Sequence, residues 1–219
     1  IGADVYDNVA TGNTGGVLVF NMPNLPQAGR VTRVFRNRIE GNNHPNFGHK
    51  GTPVASVPAG SGVVINSNDE VEVFDNDIGE HKTANVIISS YFSTGYTDLS
   101  TAENFDPYPE GIHIHGNRFG PAGDSPDHLE LKALKISQFG MSGRLPDILW
   151  DGYINLDILV DGKLPADRAI CINNGEAGMI NVDGPNNYQN ISTEMADYRC
   201  SLPPLPAVKL ASAEAGQGA

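Results

Sequence analysis

The amino-acid sequence predicts an all-β fold, a right-handed parallel β-helix with an irregular C-terminal cap region. Three observations lead to this prediction: a short motif occurs four times, a second apolar strand follows three of its occurrences, and the two keep nearly the same spacing where no insertion separates them. Asn8 lies 9 residues before Val17, and Asn76 lies 10 residues before Val86. Short strands at a fixed period are typical of solenoids, in which each coil stacks on the previous one.

The first motif supplies a core residue, an aromatic ring and an asparagine in each coil. It occupies residues 5–8, 34–37, 73–76 and 114–117. Its fourth position is always asparagine, which tolerates left-handed backbone at a turn and hydrogen-bonds to its equivalents along a stack. We therefore expect a structural asparagine ladder formed by Asn8, Asn37, Asn76 and Asn117.

The second position of the motif forms a column of rings, Tyr6, Phe35, Phe74 and His115. In a repeat, such a column is typical of packing. An exposed column would instead offer a row of ring faces on which sugars stack. The sequence leaves both interpretations open, because it does not fix which way the column points.

The charged residues change sign from coil to coil. One column reads Asp4, Arg33, Glu72 and His113, and another reads Asp7, Arg36 and Asp75. Opposite charges on neighbouring strands stabilise their pairing and like charges destabilise it, so the alternation specifies the register. The formal net charge of -12 disfavours nucleic acid as a partner, since phosphate binding needs clustered Lys and Arg.

The second strand carries apolar residues on both faces. Val17 and Val19, with their equivalents, are expected to face the core, which leaves Leu18, Val64 and Ile87 facing outward. Two insertions, at about 43–60 and 93–110, are expected to cover this apolar stripe or to wall a groove over it. We expect coils with these insertions over 1–122, final irregular coils and a cap over 123–206, and a flexible tail over 207–219.

The C-terminal part departs from the repeat. Ser125 and Pro126 are typical of a helix start, and the run 128–136 fits either a helix or a strand. A solenoid needs a cap at its open end, and this segment is the candidate. Cys171 and Cys200 fit one disulfide in an oxidising compartment, and two separate buried thiols are the alternative.

The repeats, the stretch Cys171-Ile-Asn-Asn-Gly175 and the stretch Cys200-Ser-Leu-Pro-Pro-Leu-Pro206 together resemble an exported bacterial family of parallel β-helix repeat proteins. The resemblance implies a periplasmic or extracellular location, often as a lipoprotein, and a companion exported protein as partner. It transfers no catalytic residue. The first residues already read as the middle of a repeat, so we expect a longer protein whose missing N-terminus carries any lipid anchor. No apolar run in the sequence is long enough to cross a membrane.

The sharpest local signal for chemistry is His113-x-His115, whose imidazoles lie on the same strand face. With Glu110 nearby, the two histidines are candidates for a transition-metal site. The candidate ligand-binding residues are His113, His115, Glu110, Tyr6, Phe35 and Phe74. Candidates for Ca²⁺ are the acidic residues of the second insertion, Asp98, Glu103, Asp106 and Glu110. For both metals the alternative is an ordinary charged or packing role.

Three functions are open at this level. The first is an exported scaffold or binding protein that recognises a polysaccharide or a companion protein on the loop-walled face. The second is a carbohydrate-active enzyme (a polysaccharide lyase, epimerase or hydrolase), and it rests on fold analogy alone. The third is a metal-handling protein that uses the His-x-His strand. A deep groove with exposed carboxylates would favour the second function, and a metal at His113 would favour the third.

Overall fold

The computed structural model describes residues 2–95 and 105–209. In this part of the chain the strands are β1 (Ala3–Tyr6), β2 (Val9–Thr11), β3 (Gly15–Phe20), β4 (Arg30–Phe35), β5 (Arg38–Glu40), β6 (Ser61–Asn66), β7 (Asp69–Phe74), β8 (Asp77–Gly79), β9 (Ala84–Ser89), β10 (Ile112–His115), β11 (Arg118–Phe119), β12 (Ile148–Trp150), β13 (Ile170–Asn173) and β14 (Met179–Asn181). The helix α1 spans Leu129–Phe139.

The strands form three parallel sheets. Sheet 1 contains β1, β4, β7, β10 and β13; sheet 2 contains β2, β5, β8 and β11; sheet 3 contains β3, β6, β9, β12 and β14. From β1 to β12 the chain visits the three sheets in turn, so each passage adds one layer, here called a coil, to all three. The prediction of an all-β parallel fold is confirmed.

The two repeated motifs stack in the predicted register. In sheet 1, Val34 pairs with Val5 and Val73, and in sheet 3, Val63 pairs with its neighbours at 17 and 86. These side chains point between the sheets and form the core, in which Val34, Val63 and Val73 are fully buried. The repeat exists in the sequence because each position of a coil meets the same environment as its equivalent in the next coil.

The asparagine ladder is present and is one member longer than predicted. The backbone and side-chain N–H groups of Asn37 donate to Asn76 Oδ1, both at 2.9 Å. Asn76 donates in the same way to Asn117, and Asn117 donates to Asn174, which the motif alignment did not include. Asn8 starts the ladder by donating to Asn37 Oδ1 at 3.0 Å.

The left-handed backbone lies one residue before each of the four predicted ladder asparagines, which corrects the expectation that the asparagines themselves adopt it. The residues with positive φ are Asp7, Arg36, Asp75 and Gly116. The asparagine side chain instead caps the turn, since Asn76 Nδ2 donates to the carbonyls of Phe74 and Val34, each at 2.9 Å. The ladder therefore satisfies backbone groups that the turn leaves unpaired.

The outward apolar stripe of sheet 3 lies next to two different segments, and Leu18 at its first end stays 38% exposed. Leu18 and the first insertion line one hollow, to which that insertion contributes Val54 and Val57. At the other end, Ile87 packs into the same apolar cluster as Leu131 of α1. Among the described residues, α1 thus packs over the later coils on this face.

The second insertion, where it is described, lies at the turn from sheet 3 to sheet 1. The carbonyl of Pro107 accepts hydrogen bonds from the Tyr91 N–H and the Ser67 hydroxyl, both at 2.9 Å. The calcium candidates Asp98 and Glu103 lie outside the described residues.

The ambiguous run 128–136 is helical, but the helix does not begin at the predicted cap. It begins at Leu129, and His128 stands at the N-cap without a side-chain hydrogen bond to the helix. The Ser125 cap was therefore wrong, because residues 123–127 first turn along sheet 3, where the Ser125 N–H donates to the Lys82 carbonyl at 3.1 Å. In the residues that the structure describes, no helix has the length and apolar character needed to span a membrane.

The described chain ends on the outer face of sheet 1. A disulfide joins Cys200 to Cys171 of β13, and residues 201–209, which we call the C-terminal strap, run from there toward β1. The Leu205 N–H donates to Glu72 of β7 at 3.0 Å, and the Val208 N–H donates to Asp4 of β1 at 3.2 Å. Residues 207–209 of the predicted flexible tail belong to this strap, and residues 210–219 lie outside the described part.

The strap matches the spacing of the sheet beneath it. Leu202, Leu205 and Val208 are half-buried, and the strap residues between them are exposed. A period of three is that of a polyproline helix, which the prolines at 203, 204 and 206 favour. Three residues of such a helix rise about 9 Å, which nearly equals two strand spacings of about 4.8 Å. Leu205 and Val208, three residues apart, accordingly reach β7 and β1, which are two strands apart in sheet 1.

Candidate metal centre

The two histidines of the His-x-His strand lie on the outer face of sheet 1. Ile112 and Ile114 of β10 point into the core, so His113 and His115 point out, beneath the strap. Register places His113 directly beside Glu72 of β7. The alternation of a β-strand thus brings two imidazoles and one carboxylate to the same surface.

These three side chains form a compact group. One ligand atom from each of Glu72, His113 and His115 lies within 4.8 Å of the other two. His115 Nε2 is 3.0 Å from Glu72 Oε1, and the two imidazole rings are 4.2 Å apart between centroids. The second oxygen of Glu72 accepts the strap's Leu205 N–H, which fixes the carboxylate from the other side.

His113 is the least satisfied of the three. It is 7% exposed, and neither of its ring nitrogens has a hydrogen-bond partner among the described residues. Burial, together with the nearby His115, lowers the pKa of His113, so its imidazole is neutral at neutral pH and carries a free lone pair. A buried polar atom without a partner costs about 1–3 kcal/mol, and His113 has two such atoms on one ring.

Glu110, the carboxylate that the sequence assigned to this site, lies elsewhere. It belongs to a second group with Asp69 and Asp106, and its Oε2 accepts a hydrogen bond from Arg168 at 2.9 Å. Gly111 turns the backbone through positive φ between Glu110 and β10, so closeness in sequence to His113 does not become closeness in space. Glu72 takes its place in the histidine group.

The predicted ring column exists and is a packing stack. The rings of Tyr6, Phe35, Phe74 and His115 follow one another at centroid distances of 5.1, 4.9 and 5.3 Å, with interplanar angles of 12°, 10° and 3°. Because the ring faces contact one another, they offer no row of free faces to a sugar chain. The stack instead holds His115 parallel to Phe74 and so orients its imidazole.

The alternating charges pair along the stack. Arg33 makes two hydrogen bonds to Asp4, at 2.8 and 2.6 Å, and Arg36 makes two to Asp7, at 2.8 and 2.7 Å. The Arg36 pair is more than half exposed, so its main effect is on register rather than on stability.

A second polar ladder escaped the sequence analysis. The Asn13 backbone and side-chain N–H groups donate to Asn42 Oδ1, and the Asn42 side chain lies 3.3 Å from His81 Nε2. His81 Nδ1 lies 3.2 Å from Asn85 Oδ1, so this buried histidine is bonded on both nitrogens. The contrast with His113 separates a structural histidine from one that lacks partners.

No protein-family model matches this chain, and comparisons with curated proteins and with solved structures give no significant match. The resemblance to an exported β-helix family therefore stays a prediction, and the candidate site rests on its own geometry.

Proposed function

We propose that this protein binds one divalent transition-metal ion through Glu72, His113 and His115, beneath the C-terminal strap. The observation that carries this proposal is the buried His113, whose two ring nitrogens lack partners while a carboxylate and a second imidazole stand within 4.8 Å. A metal ion would give that imidazole the partner it lacks.

The donor set favours Zn²⁺ or a neighbouring transition metal over Ca²⁺ or Mg²⁺. Imidazole nitrogen suits zinc, copper, iron and nickel, whereas calcium and magnesium take oxygen ligands. Two imidazoles and a carboxylate leave at least one coordination position for water or another ligand. The Leu205 N–H on Glu72 would then serve as an outer-shell contact that orients the carboxylate.

The ordinary packing role accounts for only part of the group. The charge column places Glu72 opposite Arg33 and within reach of His115, and the ring stack accounts for the orientation of His115. Neither explains why a histidine occupies position 113, where a leucine would bury equally well without leaving unpaired polar atoms. The metal proposal explains that choice.

The test is isothermal titration of the metal-free full chain with ZnCl₂. We expect one saturable site in the wild type. In the His113→Leu variant the zinc affinity should fall by more than the 10–100-fold, roughly, that changes to outer-shell residues typically cause. His113→Leu keeps the volume and removes the unpaired nitrogens, so the metal-free variant should melt at or above the wild-type temperature.

The control is His128→Leu, which changes a partly exposed histidine at the N-cap of α1, outside the group. Zinc binding that survives in His113→Leu, or that falls equally in His128→Leu, would contradict the proposal. A variant that binds no zinc because it is unfolded is recognised by its melting curve.

The wider setting of the site is also a proposal. The Cys171–Cys200 disulfide supports an oxidising compartment, and hence export to the periplasm or the cell exterior. Parallel strands joined through a crossover in one sheet are right-handed in about 98% of cases, which supports a right-handed parallel β-helix. A companion exported protein remains the predicted macromolecular partner.

A second candidate function is polysaccharide binding at the hollow beside the first insertion. Phe47 is 79% exposed there, and it lines a hollow of about 340 Å³ together with Asn13, Thr14, Leu18 and Asn46. The Asn46 and Asn13 amides donate within the chain, so the exposed ring is the feature suited to stacking on a sugar.

We expect neutral oligosaccharides to raise the melting temperature of the wild type and not of Phe47→Ala, because the ring supplies the stacking surface. Tyr6→Ala is the matched control, since it removes an exposed ring of the packing stack on sheet 1. Equal responses of the two variants would contradict this function.

A further inference from the structure

The rule of alternating charge breaks at one place in sheet 1. Asp69 and Glu110 are neighbours on consecutive coils, because the Glu70 N–H donates to the Glu110 carbonyl at 2.8 Å. Like charges side by side on parallel strands are destabilising. Arg30, which pairs in register with Asp69, turns instead to Glu70 at 3.0 Å. The two acids thus lie side by side, whereas Asp4 and Asp7 each have an arginine on the neighbouring strand or turn.

A third carboxylate joins them from the second insertion. Oxygen atoms of Asp69, Asp106 and Glu110 lie within 4.8 Å of one another. The nearby cation is Arg168, whose Nη1 is 2.9 Å from Glu110 Oε2 and 3.8 Å from Asp69 Oδ2. Arg168, with Arg30 at longer range, faces three carboxyl groups in a place that is mostly shielded from water.

An independent observation shows where a ligand would sit. The Glu110 side chain is 3% exposed, and its Oε1 has no hydrogen-bond partner among the described residues. Asp69 Oδ1 is also buried without a partner there. Arg168 binds the other oxygen of Glu110. The unpartnered oxygens of Glu110 and Asp69 therefore have room for a cation as their partner.

We propose that Asp69, Asp106 and Glu110 bind one Ca²⁺ ion, at a site separate from the histidine group and independent of its function. All the donors are oxygen atoms, whereas later transition metals prefer nitrogen or sulfur ligands. Calcium takes six to eight oxygen ligands in irregular geometry, so three carboxylates and water suit it better than magnesium, which demands a near-octahedral set. The ion would tie the second insertion to β7 and to the start of β10.

The test is titration of the chelator-treated full chain with CaCl₂. Binding is measured by calorimetry, and the melting temperature is measured at each calcium concentration. We expect one saturable site, a rise in melting temperature by mass action, and at least about 10-fold weaker binding in Asp106→Asn, because calcium affinity follows the number of charged ligands. Asp124→Asn is the control, since it removes the same charge from an exposed position outside the group.

Asp106→Asn should also melt at or above the wild-type temperature when calcium is absent, because it relieves repulsion among the three acids. That result would show that weaker binding is not caused by misfolding. Absence of saturable binding up to about 10 mM Ca²⁺, beyond the range of weak extracellular sites, would overturn the proposal. Equal weakening in Asp106→Asn and Asp124→Asn, or equal affinity for Mg²⁺, would overturn it as well.

Discussion

Replacing Asn76 by alanine should lower the free energy of unfolding by about 3 kcal/mol, the upper end for a buried polar group whose partners lose their bonds. Asn76 is 1% exposed and lies inside the ladder. Its Oδ1 accepts two N–H groups of Asn37, and its Nδ2 donates to the Val34 and Phe74 carbonyls and to Asn117. Alanine would leave these groups unpaired, because the site is buried away from water.

The matched control is Asn8→Ala at the exposed end of the same ladder. Asn8 donates to Asn37 and to the Tyr6 carbonyl but accepts nothing from a preceding asparagine in the described residues. Water can replace these bonds, so we expect a loss of about 1 kcal/mol or less. Urea unfolding with unchanged slopes measures both values. Equal losses in the two variants would mean that the ladder does not derive its strength from burial.

Removal of the disulfide in a Cys171→Ala/Cys200→Ala variant should cost roughly 3–4 kcal/mol by the loop-entropy relation, since the bridge closes a loop with a sequence separation of 29. The sheets should persist, because their ladders do not involve the bridge. The strap should loosen, and hydrogen exchange at the amides of Leu205 and Val208 should speed up, because the tether holding them over sheet 1 is lost.

Leu205→Pro separates the strap contact from the bridge. Proline has no N–H, so the hydrogen bond to Glu72 disappears, while the backbone it prefers suits the polyproline period of the strap. We expect a loss of about 1 kcal/mol in the free energy of unfolding, the typical net value of one hydrogen bond.

If the strap amides of the Cys171→Ala/Cys200→Ala variant exchanged no faster than those of the wild type, the disulfide would not be what holds the strap.

Much of the fold could be predicted because stacking imposes equal residues at equal positions. The columns that begin with Val5 and Asn8 and the inward residues beginning with Val17 were all aligned from the sequence, and the register agrees. Asn174 was missed because its strand lacks the aromatic residue of the motif and is followed by no strand of sheet 2 in the described residues.

The candidate site could be predicted in part. The charge column already placed Glu72 beside His113, yet Glu110 was chosen because it stands three positions from His113 in the sequence. The positive φ of Gly111 separates the two in space.

The position of the strap could not be predicted from local sequence patterns. Its contact between Leu205 and Glu72 spans 133 residues, and only the assembled sheet shows that a polyproline period fits two strand spacings. Without the strap, the burial of His113 has no visible cause in the sequence, because its strand neighbours predict only that it points away from the core.

The measurement that tests the central claim most directly is anomalous diffraction at the zinc absorption edge, from crystals of the full chain grown with Zn²⁺. The account predicts one strong peak at about 2.0–2.2 Å from a nitrogen of His113, a nitrogen of His115 and an oxygen of Glu72. A zinc-saturated protein whose peak lies away from these three side chains would contradict it, as would the absence of any peak.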